Sequence, residues 1–144
     1  MPRPEPATFE GMALNRIEHF MVLAEDMDAS RDFYRDVLGF EPGFRPDLGF
    51  DGHWLYLGAT PCVHIADKRS YLARKGGYGD EDPGTRKGGA RVDHIAFNGD
   101  DCDAMVARMA ARGVVVRPNV VPGGPRQLFV FDPDGVKIEM NFMT

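Results

Sequence analysis

Three histidines and a glutamate recur at matched positions in this chain of 144 residues. His19 and His94 lie 75 positions apart, and the same interval separates His64 from Glu139. Imidazole nitrogens and a carboxylate are donors that suit Fe(II), Mn, Co, Ni or Zn. His19, His94 and Glu139 would form a 2-His-1-carboxylate set, which leaves positions on the ion for O₂ and a bidentate substrate. His64 would add a fourth protein ligand.

Side-chain alternation indicates whether these four residues can point to one place, because residues two positions apart in a strand share a face. Glu139 has the polar neighbours Lys137 and Asn141, and a buried carboxylate requires a partner or a cation. The neighbours of the three histidines are all apolar, so we expect the imidazoles to point inward, where a divalent ion would satisfy all four side chains. These apolar neighbours are Ile17, Met21, Cys62, Ala66, Val92 and Ala96.

The elements that would position these residues repeat with the same offset. In each half, an apolar run with one histidine precedes an Asp-capped helix and three short apolar runs, which predicts the order strand, helix, strand, strand, strand. The predicted strands of the second half cover residues 91–98, 114–117, 127–131 and 136–142. Asp26 or Asp28 would cap the first helix, and Gly39 would end it. Asp101 or Asp103 would cap the second helix, and Gly113 would end it.

The repeat predicts an α+β fold in which two βαβββ modules form a mixed, partly closed sheet around a metal-binding cavity. The first module covers residues 14–66 and the second covers residues 91–144. Residues 1–13 carry three prolines and predict a flexible N-terminal tail. Residues 67–90 contain six glycines and predict a long loop between the modules.

Composition excludes several classes of function. Lys and Arg number 17 against 22 Asp and Glu, so the formal net charge is −5, which argues against nucleic acid or an anionic membrane as a partner. No apolar run reaches the roughly 18 residues of a membrane-spanning helix. The first residues lack the apolar core of a secretion signal, and two cysteines are too few for a disulfide framework. We therefore expect a cytoplasmic protein that acts on a small molecule.

Four segments resemble the vicinal oxygen chelate superfamily, which includes glyoxalase I, type I extradiol dioxygenases and the fosfomycin and bleomycin resistance proteins. These segments are IEHF at 17–20, SRDFYRDVLGF at 30–40, VDHIAF at 92–97 and FDPDGVKIE at 131–139. The resemblance implies paired βαβββ modules and a metal bound by one residue from each of four strands, here His19, His64, His94 and Glu139. It also implies a homodimer, in which modules can be exchanged between subunits.

The resemblance leaves three functions open. The main interpretation is an extradiol-type dioxygenase that opens a catechol-like ring with Fe(II) or Mn, although the positions of that enzyme's outer histidine and tyrosine hold Val120 and Phe129. The first alternative is a glyoxalase I-type lyase with Ni, Co or Zn, in which Glu139 is the catalytic base and His64 replaces the usual carboxylate. His64 would be a base only if it left the metal. The second alternative is a resistance protein that binds a small molecule without catalysis.

A substrate pocket is predicted beside the metal. An aromatic wall would suit a planar substrate, and an arginine would hold an anionic group through a bidentate contact. The predicted pocket residues are His53, Trp54, Tyr56, Phe129 and Arg126.

Overall fold

The computed structural model of the protein describes residues 16–74 and 92–143, and each segment forms one βαβββ module. The first contains β1 (Phe20–Ala24), α1 (Met27–Asp32), β2 (Glu41–Gly43), β3 (Gly52–Leu57), β4 (Thr60–Asp67) and α2 (Lys68–Ala73). The second contains β5 (Ile95–Gly99), α3 (Cys102–Ala111), β6 (Arg117–Val120), β7 (Arg126–Phe131) and β8 (Lys137–Phe142). The predicted tail and residues 75–90 of the predicted loop lie outside the described residues.

Each module forms a four-stranded mixed sheet with the same strand order. The orders are β1-β4-β3-β2 and β5-β8-β7-β6, in which the first pair is parallel and the other pairs are antiparallel. The predicted α+β class with two βαβββ modules is confirmed. In the described residues each module keeps its own sheet, so the two sheets pack together through side chains rather than through a shared ladder.

The helices begin and end where the sequence predicts. Of the alternative caps, Asp26 accepts from two backbone N–H groups of the first turn of α1, and Asp101 accepts from one in α3. The chain continues from α1 into a π-helical segment, Phe33–Val37. Gly39 and Gly113 follow the helices at φ of +87° and +67°, a conformation that favours glycine.

The predicted strand at 91–98 begins only at Ile95, so His94 precedes it. Two other predicted elements also differ from the structure. The predicted loop 67–90 begins with helix α2, because the Asp67 carboxylate accepts a hydrogen bond from the backbone N–H of Ser70 and caps the first turn. The predicted strand at 114–117 is displaced, and β6 starts only at Arg117. The preceding turn explains this shift, since the Val114 N–H is bonded to the Met109 carbonyl at the end of α3.

One apolar core joins the modules. Alternate residues of the central strands point into it, and full burial of each large side chain contributes about 1.5–3 kcal/mol. No helix in the described part of the chain is long and apolar enough to cross a membrane. The strand residues buried in this core include Val22, Leu55, Val63, Ile65, Leu128, Val130, Ile138, Met140 and Phe142.

A buried tyrosine links the first module to the β7–β8 turn. The Tyr34 hydroxyl donates to Asp132 Oδ2 at 2.8 Å, and both residues are buried. Asp132 Oδ1 accepts from the backbone N–H groups of Asp134 and Val136. Burial raises the pKa of Asp132, while these donors favour its charged form. Ser30 adds a second link by donating to Asp134 Oδ2 at 2.8 Å.

We predict that Tyr34→Phe lowers the free energy of unfolding by about 1–3 kcal/mol, because it removes a donor from a buried carboxylate. Urea denaturation would measure the loss. The matched control is Tyr56→Phe, since the Tyr56 hydroxyl donates to the exposed carbonyl of Phe44, which water can solvate. Equal losses in both variants would contradict the importance of the link between the modules.

Candidate metal centre

The predicted ligands lie on the faces of the two sheets that point away from the shared core. In the first sheet, His64 on β4 is paired with Trp54 on β3 and with Met21 on β1, so these three side chains share one face. His19 lies just before β1, two positions from Met21, and reaches the same face. This face therefore gathers two of the four predicted ligands.

His19, His64 and Trp54 form a continuous stack of rings. The ring centroids of His19 and His64 are 3.7 Å apart with an interplanar angle of 13°, and those of His64 and Trp54 are 4.2 Å apart at 11°. His64 Nε2–H donates to the Pro61 carbonyl at 2.9 Å, which leaves the lone pair on Nδ1. Burial, and then the proximity of His19, lower the pKa of His64, so its neutral, metal-binding form is favoured.

The second sheet brings the other two predicted ligands together. His94 Nε2 lies 3.8 Å from Glu139 Oε1, and only 14% of the Glu139 side chain is exposed. Bonds from zinc to nitrogen or oxygen are about 2.0–2.2 Å long, so two donors at this separation can reach one ion. The pair therefore fits half of a metal site.

An acidic residue precedes each of the two equivalent histidines and orients its ring. Glu18 Oε1 accepts from His19 Nδ1 at 3.0 Å, and Asp93 Oδ2 accepts from His94 Nδ1 at 2.9 Å. Asp93 is also bonded to Lys137 Nζ at 3.0 Å. A carboxylate on Nδ1 leaves Nε2 as the lone-pair donor, an arrangement common around metal-binding histidines.

The two half-sites do not meet within the chain. Across residues 16–74 and 92–143, no group of three or more His, Cys, Asp or Glu side chains is placed to hold a metal ion. The sequence-based expectation that one chain brings all four ligands to one point is therefore not met. In addition, the lone pair of each imidazole lies in the plane of its ring, and the planes of the stacked His19 and His64 rings are nearly parallel. At least one ring must therefore rotate before both can bind the same ion.

Three of the predicted pocket residues lie near these half-sites. Trp54 and Tyr56 alternate on β3 and share the face of His64, and Phe129 on β7 is paired with Glu139 on β8. An open cavity of about 590 Å³ adjoins Phe129 on the second sheet. Its lining residues are Val114, Val115, Arg117, Phe129, Phe131 and Lys137.

His53 and Arg126, the other two predicted pocket residues, lie on the opposite faces of their strands. His53 Nε2 is 2.8 Å from Asp28 Oδ1 at the start of α1. Arg126 Nη2 donates to Asp103 Oδ1 of α3 at 3.1 Å. The structure therefore places both side chains against helices and away from Trp54 and Phe129.

Sequence reasoning missed several polar residues beside Glu139. Gln127 and Asn141 donate to its carboxylate, and Arg117 and Lys137 supply positive charge to the cavity. Side-chain alternation could have predicted some of these neighbours, because Lys137, Glu139 and Asn141 lie two positions apart on one strand. This polar face could have been read as a binding surface instead of as an irregular core.

Comparison with known proteins identifies the family of this fold and site. A sequence profile of the Glyoxalase/Bleomycin resistance protein/Dioxygenase superfamily matches residues 16–140. The chain therefore belongs to this superfamily, in agreement with the resemblance seen in its motifs.

The chain is also similar to individual members of the superfamily. The chain is 33% identical to Glyoxylase I 4 of Arabidopsis thaliana over 88% of its own length and 70% of that protein. It is 32% identical to a probable lactoylglutathione lyase of Vibrio cholerae over 90% and 91% of the two chains. The crystal structure of lactoylglutathione lyase from Agrobacterium tumefaciens shares the fold with a TM-score of 0.65, at 24% identity over 90% and 95% of the chains.

We predict that His64 of the metal-free protein titrates below the ordinary pKa of 6.5, because burial and the neighbouring His19 disfavour the imidazolium. Ring ¹H and ¹⁵N shifts measured by NMR from pH 4 to 8 would give the midpoint, with His64→Gln used to assign the signals. A midpoint at or above 6.5 would contradict the described environment of this ring.

Proposed function

We propose that the protein is a metal-dependent lyase of the glyoxalase I type. Its substrate would be the hemithioacetal that a 2-oxoaldehyde forms with a thiol such as glutathione, and its product the isomeric hydroxyacid thioester. The observation that carries this proposal is the Glu139 carboxylate, poised 3.8 Å from His94 Nε2 on the sheet face that borders an open cavity. The names of the Arabidopsis and Vibrio relatives support the same class.

Ring cleavage, the main interpretation from sequence, has less support than this alternative. The relatives reported above are named as glyoxalase or lactoylglutathione lyase proteins, and none is named as an extradiol dioxygenase. The positions from which that class contributes its outer histidine and tyrosine hold Val120 and Phe129, which cannot transfer protons. An isomerisation also requires no O₂, so Ni, Co or Zn replaces Fe(II) or Mn as the proposed ion.

The complete centre would be assembled from two copies of the chain. We propose that His19 and His64 of one subunit meet His94 and Glu139 of the other, because each pair forms within a module whereas the two pairs remain apart. A two-fold axis would then create two equal sites, since an isologous interface uses the same surfaces twice.

Apolar side chains near the half-sites support such an interface. Ile17 is 94% exposed beside His19, and Val92 is 66% exposed beside His94. Phe131, at the rim of the cavity, is 63% exposed. Contact with a second copy would remove this apolar surface from water, which stabilises an interface by about 25 cal/mol for each Å² buried.

The residues of the centre fit the chemistry of the proposed isomerisation. When bound, a divalent ion would stabilise the negative charge that develops on the two neighbouring substrate oxygens. Glu139 would remove the proton from the carbon that bears sulfur and return it to the adjacent carbon, while the hydroxyl proton moves to the former carbonyl oxygen. The reaction is balanced without an oxidant or a reductant, because the product is an isomer of the substrate.

The remaining residues would bind the substrate and hold the ligands. Arg117 and Lys137 in the cavity suit the carboxylates of a thiol such as glutathione, since guanidinium and ammonium groups bind carboxylates through charge-assisted hydrogen bonds. Neutral His64 would act as a ligand, and Trp54 would limit the movement of its ring through the stack. Glu18 and Asp93 would keep the equivalent histidines in the tautomer that presents Nε2.

We predict that Glu139→Gln lowers the turnover of the methylglyoxal–glutathione hemithioacetal by at least about 100-fold, because it removes the general base. Thioester formation by the zinc-, cobalt- and nickel-loaded protein would be measured. The control is Glu25→Gln, which changes an exposed carboxylate paired with Lys68 and should retain activity. Undiminished turnover in Glu139→Gln would exclude Glu139 as the base.

The same series of assays on the wild-type protein also distinguishes between the candidate functions. O₂ consumption with ring opening of a catechol, in place of thioester formation, would replace the lyase proposal with the dioxygenase interpretation. Saturable binding of a small molecule with neither reaction would indicate a binding protein.

We predict that two inactive variants restore activity to each other. If the centre lies between subunits, a heterodimer of His19→Ala and Glu139→Gln contains one site with all four native ligands. Random pairing of subunits from equal amounts of the two variants would yield about a quarter of the wild-type activity. Unfolding and joint refolding of the two purified variants, followed by the thioester assay, would measure the recovery. If the centre lay within one chain, no activity would be recovered, because every chain would carry one of the two substitutions.

A further inference from the structure

We infer that Gln127 and Asn141 are positioning residues that hold the Glu139 carboxylate in the orientation needed to bind the metal. This inference rests on the proposed function. Asn141 Nδ2 donates to Glu139 Oε2 at 2.9 Å, and Gln127 Nε2 donates to Glu139 Oε1 at 3.3 Å. Both carboxylate oxygens therefore have an amide donor.

A third amide sets the direction in which Gln127 points. Asn119 Nδ2 donates to Gln127 Oε1 at 2.8 Å, so the oxygen of the Gln127 amide is occupied and its NH₂ group faces β8. That NH₂ group also donates to Asn141 Oδ1 at 3.0 Å, which orients the Asn141 amide in turn. We call Asn119, Gln127 and Asn141 the amide row.

The sheet itself builds the amide row. Asn119 on β6 is directly opposite Gln127 on β7, and Gln127 is directly opposite Asn141 on β8. Glu139 lies two positions before Asn141 and thus on the same face. Three neighbouring strands therefore fix the amides, and the carboxylate is oriented by regular β-structure and not by a loop.

The first module provides an internal comparison. The positions that correspond to Gln127 and Asn141 at an offset of 75 are Gly52 and Ala66, which are also paired across neighbouring strands. The corresponding ligand is His64, whose ring is held by the Pro61 carbonyl and by stacking. Amide donors thus accompany the carboxylate and are absent beside the imidazole, as expected if their role is to hold the carboxylate.

The row has a specific consequence for metal binding. A largely buried carboxylate loses solvation, and two amide donors compensate for that loss without adding a competing positive charge. They also fix its rotamer, so Oε1 stays near His94 and less conformational freedom is lost when an ion binds. Residues that orient metal ligands in this way typically change metal affinity by about 10–100-fold when mutated.

The test is the dissociation constant for Co(II) of the full-length protein, measured by titration calorimetry and by the visible absorption of bound Co(II). We expect Asn141→Leu and Gln127→Met each to weaken binding by about 10–100-fold and to alter the Co(II) spectrum. Asn141→Gln keeps an amide donor and is expected to bind more tightly than Asn141→Leu. Thermal unfolding of the metal-free variants would show that each is folded.

The matched control is Asn98→Leu. Asn98 lies on β5 next to Asn141, and its side chain donates to the Asn141 backbone carbonyl rather than to Glu139. Its substitution should leave Co(II) affinity and the spectrum unchanged.

The outcomes separate this inference from the proposed function. Wild-type affinity and an unaltered spectrum in folded Asn141→Leu and Gln127→Met would overturn the inference while the proposed lyase stands. A wild-type protein that takes up no Co(II), Ni(II) or Zn(II) would overturn both.

Discussion

Strand alternation divides the residues of the central strands between a shared apolar core and an outer face, and the proposed site depends on that division. Val63 and Ile65 are buried in the core, whereas His64 between them points the other way. In β8, the buried residues Ile138 and Met140 flank Glu139, which likewise points away from the core. Because the core joins both modules, their outer faces are held apart, and the predicted ligands form two separate pairs.

This arrangement cannot be closed within one chain without loss of the core. Bringing His19 and His64 to His94 and Glu139 would require the modules to separate. That separation would break the buried bond between Tyr34 and Asp132, and the two bonds from Arg108 to the carbonyls of Asp36 and Arg35. In the proposed dimer, a second copy would supply the missing pair without this loss. Dimerisation and metal binding are therefore coupled in the proposed account.

Much of the fold could be predicted because the sequence patterns that specify its strands and helices are local and occur twice. The 75-residue offset relates His19 to His94 and His64 to Glu139, and the caps Asp26 and Asp101 mark the two helices. The packing of one module on the other could not be predicted in this way. It depends on contacts between distant segments, such as Tyr34 with Asp132, and no periodicity records them.

The placement of His53 and Arg126 apart from the other predicted pocket residues has a physical reason as well. Arg126 and Phe129 lie three positions apart on one strand, and His53 and Trp54 are adjacent, so alternation sends the members of each pair to opposite faces. Arg126 instead pairs with Asp103 and His53 with Asp28, both of which lie at helix starts. A strict use of alternation would have selected Lys137 and Asn141, which share the face of Glu139.

The proposed metal centre lies between two copies of the chain. Native mass spectrometry of the protein titrated with Zn(II) measures stoichiometry and oligomeric state together. We expect a dimer that takes up two ions and a monomer that retains none. A monomer that binds one ion tightly would contradict this expectation.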